Sequence, residues 1–244
     1  MNYSDYYNES FNKLMTLTTS ELSDQVLPLA RGQFQFAKEG KEKFLGDRDW
    51  IGLKVLELGS GVGGASLELA KIGAEVTVAD FSKVALELSQ KLFDYHGLKV
   101  KTHLVDLTLP EPGFTEKYDL ILDGHLLHCL TEIHERASYY QLVREHLTES
   151  GIFLCETMVY KKKIFIPDNF KFDEESYTLF QFLGSWKPVR KILDSLDLEN
   201  EIQSSQLRIR SFFYYAQMGM VPHQSFMDLP IEILPAAVRM ILSR

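Results

Sequence analysis

The chain has 244 residues, 45% of them hydrophobic and 25% charged. It is long enough to bury a core, fits one α/β domain with additions, and is too apolar for bulk disorder. The formal net charge of -8 argues against a general nucleic-acid binder, because phosphate binding runs on Lys and Arg.

Cys129 and Cys155 are the only cysteines. They lack the spacing of a zinc site and give no disulfide framework, which fits a reducing cytosol. The opening residues, Met1 to Ser10, are polar and tyrosine-rich and have neither the basic start nor the apolar run of a secretion signal. No apolar stretch approaches the ~20 residues that span a bilayer. The expectation is a soluble, cytoplasmic protein with no membrane partner.

In chain order, Ser4 to Phe44 reads as helices, with Pro28 opening or interrupting one of them. Gly46 to Gly52 is a polar connection. Lys54 to Leu58 is a compact apolar strand followed at once by glycines, and Ala65 to Ile72 is a helix ended by Gly73. Glu75 to Asp80 is a second strand, and Ser82 caps a helix that runs to Tyr95. Val100 to Val105 and Tyr118 to Leu122 are further strands. Glu132 to Leu147 is a helix, and Ile152 to Thr157 a fifth strand. This alternation predicts βαβ units and a parallel sheet.

The remainder departs from it. Residues 158–185 fall outside the alternation and are rich in aromatics. Lys187 to Leu196 is predicted as a helix started by Pro188. Glu201 to Arg210 and Phe212 to Met218 are predicted as an antiparallel pair of strands at one sheet edge. Pro230 to Leu242 is predicted as a final helix.

The run Glu57-Leu58-Gly59-Ser60-Gly61-Val62-Gly63-Gly64 joins the first strand to the first helix of the alternation. Glycines there let a ligand approach the backbone, and the helix N-terminus offers free N–H groups. Gly59, Gly61 and Gly64 also satisfy the dinucleotide fingerprint, which is weak by itself. A dinucleotide oxidoreductase therefore stays open at this point. Asp80, ending the second strand, suits a ribose in either case.

Glu57 two residues before Gly59, Asp106 ending the third strand, and Tyr118 to Gly124 favour a different cofactor. Together these motifs resemble the class I, seven-stranded, Rossmann-like S-adenosylmethionine-dependent methyltransferases, in register from Lys54 to Thr157. The resemblance implies a doubly wound, mostly parallel seven-stranded α/β sheet with an antiparallel terminal hairpin. It implies a methyltransferase domain over 51–244 beneath an N-terminal helical cap, 1–50. S-adenosylmethionine would be held by Glu57, Gly59, Ser60, Gly61, Gly63, Asp80, Phe81, Asp106, Leu107, Asp123 and Gly124. In that family Glu57's counterpart orders the loop, and Asp106's bonds the adenine amino group.

Methyl transfer from a sulfonium needs positioning above all, and a base only when the acceptor must lose a proton. His125 and His128, after the fourth strand, are the candidate bases. No metal site is expected, since His125, His128 and His134 lack a carboxylate partner at ligand spacing. The absence of an Asn/Asp-Pro-Pro-aromatic run, and of a Pro-Cys nucleophile, argues against amino-methylating and cytosine-5 nucleic-acid enzymes. The leading expectation is a small-molecule acceptor at oxygen, nitrogen or sulfur. The alternatives are a protein side chain, or a cofactor-binding interaction module without catalysis. Tyr3, Tyr6, Tyr7 and Phe11 are expected either to cover the cofactor or to pack on the sheet. Arg31 is a candidate for its carboxylate. Residues 158–185 are expected to roof the acceptor, with Phe165, Phe170, Tyr177 or Phe180 beside the reacting sulfur.

Overall fold

The computed structural model describes residues 3–107, 113–162 and 164–244, without the side chains of residues 3–7 and 9. It builds a seven-stranded sheet in the order β3-β2-β1-β4-β5-β10-β9. The parallel part comprises β1 (Lys54–Leu58), β2 (Glu75–Asp80), β3 (Lys101–Leu104), β4 (Tyr118–Asp123) and β5 (Leu147–Val159). The order reverses between β1 and β4, so the crevice at their carboxyl ends is where an open α/β sheet binds ligands.

Strand alternation explains the three layers. Leu56, Leu58, Ile121, Phe153 and Cys155 face one side and pack with α5 (Ile133–His146) and α6 (Ser195–Ser204). Val55, Leu120, Leu122, Ile152 and Leu154 face the other, with α2 (Thr19–Phe44), α3 (Gly64–Lys71) and α4 (Lys83–Tyr95). Successive residues of a strand point to opposite faces, so strands buried on both sides read as continuous apolar runs.

α1 (Tyr3–Leu14) and α2 precede the first strand, and α2 contributes Leu22, Ala30, Phe36 and Ala37 to the second core. A capping box between Thr18 and Glu21 sets the start of α2. The helix then runs through Pro28, so the expected break does not occur. Proline removes one helical hydrogen bond, and the buried face on either side outweighs that loss.

Three expected elements are corrected. Lys187 to Leu196 is not a helix: Trp186–Lys191 is strand β8, and α6 follows, capped by Asp194. The first strand of the expected hairpin, Glu201 to Arg210, begins inside that helix, which ends at Ser204, and only its last residues, from Arg208, are strand. The hairpin is formed instead by β9 (Arg208–Gly219) and β10 (Ala236–Ser243), which occupies the stretch predicted as the last helix. β10 lies between β5 and β9 and is buried on both faces. A short apolar run with that environment carries no period that separates strand from helix.

Beyond β5, residues 158–185 supply β6 (Phe170–Asp173) and β7 (Thr178–Phe182), which join β8 in a three-stranded antiparallel sheet. Phe170, Leu179 and Val189 of that sheet share a small core with Met158, Met220 and Phe226. Among the described residues, no helix is long and apolar enough to cross a membrane.

Candidate active site

The glycine loop leaves β1 with Gly59, Gly61 and Gly63 at φ values of +62°, +53° and +73°, a region in which L side chains are strained. A Cβ on Gly59 would stand 2.9 Å from Cβ of Leu126, so the loop and the turn after β4 touch directly. Glu57 is buried, and its carboxylate accepts the Ser66 N–H at 3.2 Å. Burial pushes its carboxyl up to about 7 against the pull of that bond, with Asp80 and Asp123 adding to the rise.

Asp80 closes the loop from the side. One carboxylate oxygen accepts the Gly61 N–H at 2.8 Å and the other the Ser82 N–H at 2.8 Å. Burial pushes its carboxyl up as well, against its backbone hydrogen bonds. Ser82 Oγ accepts from the Ala85 N–H, capping α4, and donates to Asn8 Oδ1 at 2.6 Å. Helix α1 is thereby tied to the end of β2.

Gly59, Gly61 and Asp80 border a cavity of about 370 Å³, within the range of small-molecule sites. Of the expected residues, Gly59, Gly61, Asp80, Phe81, Asp106, Leu107 and His125 line it. Asp106 is exposed toward solvent and Leu107 is buried. Phe11 also lines it, whereas the side chains of Tyr3, Tyr6 and Tyr7 lie outside the described residues. Arg31 is exposed and does not line the cavity.

The other expected residues stand behind the wall. Glu57 holds the start of α3, and Gly63 is the N-cap of that helix, its missing Cβ leaving room for Ser89 Oγ. Asp123 is fully buried. It accepts the N–H groups of His125, Leu126 and Leu127 and the hydroxyl of Tyr139 at 2.5–3.0 Å. Its carboxylate shapes the turn after β4 and does not face the cavity. Gly124 is covered by Gln33 of α2, whose Nε2 donates to the Gly124 carbonyl at 2.9 Å.

The two histidines separate. His125 is on the cavity wall with 54% of its side chain exposed, and its Nε2 lies 3.0 Å from Glu156 Oε1. Glu156 is paired from its other oxygen with Arg239 Nε. Burial raises the Glu156 carboxyl, but the bonds from His125 and Arg239 outweigh it and hold it below the usual carboxylate range. His128 is buried, bonded to Thr157 Oγ1 at 3.2 Å, and does not line the cavity. Burial, with the charges of Arg190, His125 and Arg136, keeps its imidazole neutral. His128 thus stands off the cavity wall, apart from His125.

Glu156 and Arg239 were not singled out by sequence reasoning. Each is the one charge in an otherwise apolar run, Ile152 to Thr157 and Ala236 to Leu242. Only the register that sets Arg239 opposite Glu156 makes the two a pair. Pro188 of β8 also lines the cavity, whereas Phe165, Phe170, Tyr177 and Phe180 do not. The inserted sheet thus reaches the site through its third strand and not through the expected aromatics.

The residues present suit S-adenosylmethionine. Gly61 leaves open the space beside the Phe11 ring, 3.5 Å from where its Cβ would stand. Ser60 Oγ is buried in the loop without a hydrogen-bond partner among the described residues. Two acids end β2 and β3 at the same cavity, where a nucleoside's hydroxyls and amino group find acceptors. Among the described residues, no group of three His, Cys, Asp or Glu side chains could hold a metal ion. A larger cavity, about 600 Å³, lies between α5 and α6 and includes none of the glycine loop.

Residues 51–212 match the family model described as a methyltransferase domain. The chain is 34% identical over 91 residues to a highly reducing polyketide synthase of Gibberella fujikuroi, a match covering 33% of this chain and 4% of that protein. It is 26% identical over 125 residues to the ubiquinone biosynthesis O-methyltransferase of a Ruegeria species, covering 51% of this chain and 49% of that one. The chain thus spans a small part of the first relative and about half of the second. An S-adenosylmethionine-dependent methyltransferase from Clostridium acetobutylicum superposes with a TM-score of 0.65 over 96% of this chain and 98% of its own, at 16% identity, which bears on the fold alone. With the family model covering most of the chain, on a sheet whose order reverses between β1 and β4 and whose last two strands run antiparallel, this protein belongs to the class I S-adenosylmethionine-dependent methyltransferase family.

Proposed function

We propose that this chain binds S-adenosylmethionine over its glycine loop and methylates a small-molecule acceptor at oxygen, nitrogen or sulfur, with His125 taking the acceptor's proton. The observation that carries the proposal is the His125–Glu156 pair on the wall of the glycine-loop cavity. A carboxylate behind one imidazole nitrogen fixes the tautomer and leaves a lone pair on the other, which is what a general base requires.

The bound cofactor would supply an electrophilic methyl group on a sulfonium. Asp80 would accept from the ribose, since its carboxylate has lone-pair capacity beyond the N–H groups of Gly61, Ser82 and Phe81 that it already accepts. Asp106 and Leu107 would meet the adenine, with Phe81 alongside. Gly59, Ser60 and Gly61 would offer the close backbone approach, which Glu57, Gly63, Asp123 and Gly124 maintain from behind. Phe11 and Pro188 would limit water over the reacting atoms. A small acceptor is supported by the modest cavity and by the name of the Ruegeria relative, which denotes O-methylation in ubiquinone biosynthesis.

Two experiments bear on this. Asp80→Ala is expected to weaken S-adenosylhomocysteine binding by at least about tenfold. A hydrogen bond to a charged group contributes roughly 1.5–3 kcal/mol, and ~1.4 kcal/mol is one decade of affinity. An unchanged dissociation constant by titration calorimetry would leave Asp80 as a loop-closing cap only. For the acceptor, the chain is incubated with methyl-labelled S-adenosylmethionine and a panel of phenols, amines and thiols. Label should pass an ultrafiltration membrane in a new small product. Label found only in added protein substrates would overturn the small-acceptor assignment.

A further inference from the structure

Arg239 stands opposite Glu156 across the β5–β10 pair and donates from Nε to Glu156 Oε2. Its guanidinium lies 5.2 Å from the ring centroid of Phe36 and 6.0 Å from that of Tyr215. Such placement over aromatic rings favours a cation and fixes its plane. Helix α2 passes over the same group: a Cβ on Gly32 would come 3.3 Å from Arg239 Nη2. The next residue, Gln33, donates to the carbonyl of Gly124, immediately before His125. One turn of α2 therefore touches the backbone that carries His125 and the cation that holds Glu156.

We propose that Arg239 is a positioning residue: seated between Phe36, Tyr215 and the Gly32 turn of α2, it holds Glu156 so that His125 keeps its proton on Nε2 and its lone pair on Nδ1. The inference rests on the reading of His125 as the base. The physical reason is the environment of Glu156, whose side chain is 9% exposed. Burial at that level favours the neutral acid unless a cation opposes it. A protonated Glu156 would donate toward His125 Nε2 and move the imidazole proton to Nδ1, closing the lone pair that a base needs. With Arg239 in place Glu156 stays an acceptor, and the tautomer is the useful one.

The test reads the tautomer directly and needs no acceptor. The full chain is labelled with 15N-histidine, and long-range proton–nitrogen correlation is recorded at pH about 8, above the range in which an ordinary imidazole is charged. His125 of the native chain should show the Nε2–H form alone, its signal assigned by its loss in His125→Asn. Arg239→Met should convert at least half of it to the Nδ1–H form, and Arg239→Lys should convert less. If Arg239→Met does not fold, Tyr215→Leu removes one flanking ring and leaves the ion pair intact. It should give the same change at smaller amplitude. A His125 tautomer identical to that of the native chain in whichever of these variants folds would overturn the proposal. That outcome is separable from failure of the base assignment, which is judged by turnover of His125→Asn and not by the tautomer.

Discussion

Replacing His125 with Asn should lower methyl-transfer turnover by roughly 10²–10⁴-fold, the range a positioned general base contributes, while S-adenosylhomocysteine still binds. His125 is half-exposed on the cavity wall, and its protein partner there is Glu156. Asn removes the basic nitrogen and leaves a polar side chain, so the fold is not challenged. Single-turnover rates with an acceptor found in the panel, beside calorimetry with S-adenosylhomocysteine, separate the two effects. Loss of turnover with cofactor affinity retained supports the base. Native turnover in His125→Asn would mean that the acceptor reacts without giving up a proton to this residue. Replacing His128 offers the control: it is buried, neutral and off the wall. Its substitution should act through stability and leave the pH dependence of turnover in place.

Glu57→Gln should stabilise the protein in mildly alkaline solution. The carboxyl of Glu57 titrates at about 7 in the fold, against 4.5 for an unperturbed glutamate. Between those values the native state holds a proton that the unfolded chain has released. Its contribution to stability is fully present below the unfolded value and is lost as pH rises through the folded one. A tenfold change in proton affinity corresponds to about 1.4 kcal/mol, so the native chain loses about 3 kcal/mol from this site between pH ~4.5 and pH ~7. The amide introduced by Glu57→Gln does not titrate and still offers an oxygen to the Ser66 N–H. The variant should therefore match the native chain near pH ~5 and exceed it at pH ~8 by up to about 3 kcal/mol, or roughly 6–12 °C in melting temperature. Melting curves of the two proteins across that window decide it, because the other titrating groups cancel in the difference. Parallel curves would show that the Glu57 carboxyl ionises in the fold at its ordinary value.

The amino-acid sequence alone determined the glycine-loop half of the molecule. Lys54 to Leu58, the glycine run, and the acids at 80 and 106 are set by local rules: a continuous apolar strand, left-handed backbone that favours glycine, and an acid where the strand ends. Those rules act over a few residues, so spacing was enough to place them at one sheet edge. Family membership followed from the same stretch. The remainder of the fold was decided by tertiary structure. Ala236 to Ser243 carries no readable period because both its faces are buried between β5 and β9. Trp186 to Lys191 became a strand because β7 was there to pair with it. His125 and His128 are three residues apart and looked alike as candidates. The turn capped by Asp123 sends one to the cavity wall and the other beneath β8. Glu156 and Arg239 are 83 positions apart, and each alone is an isolated charge in an apolar strand. Burying either singly would be costly. The antiparallel register of β5 and β10 sets them side by side, and that pairing, which no local pattern encodes, gives His125 its partner.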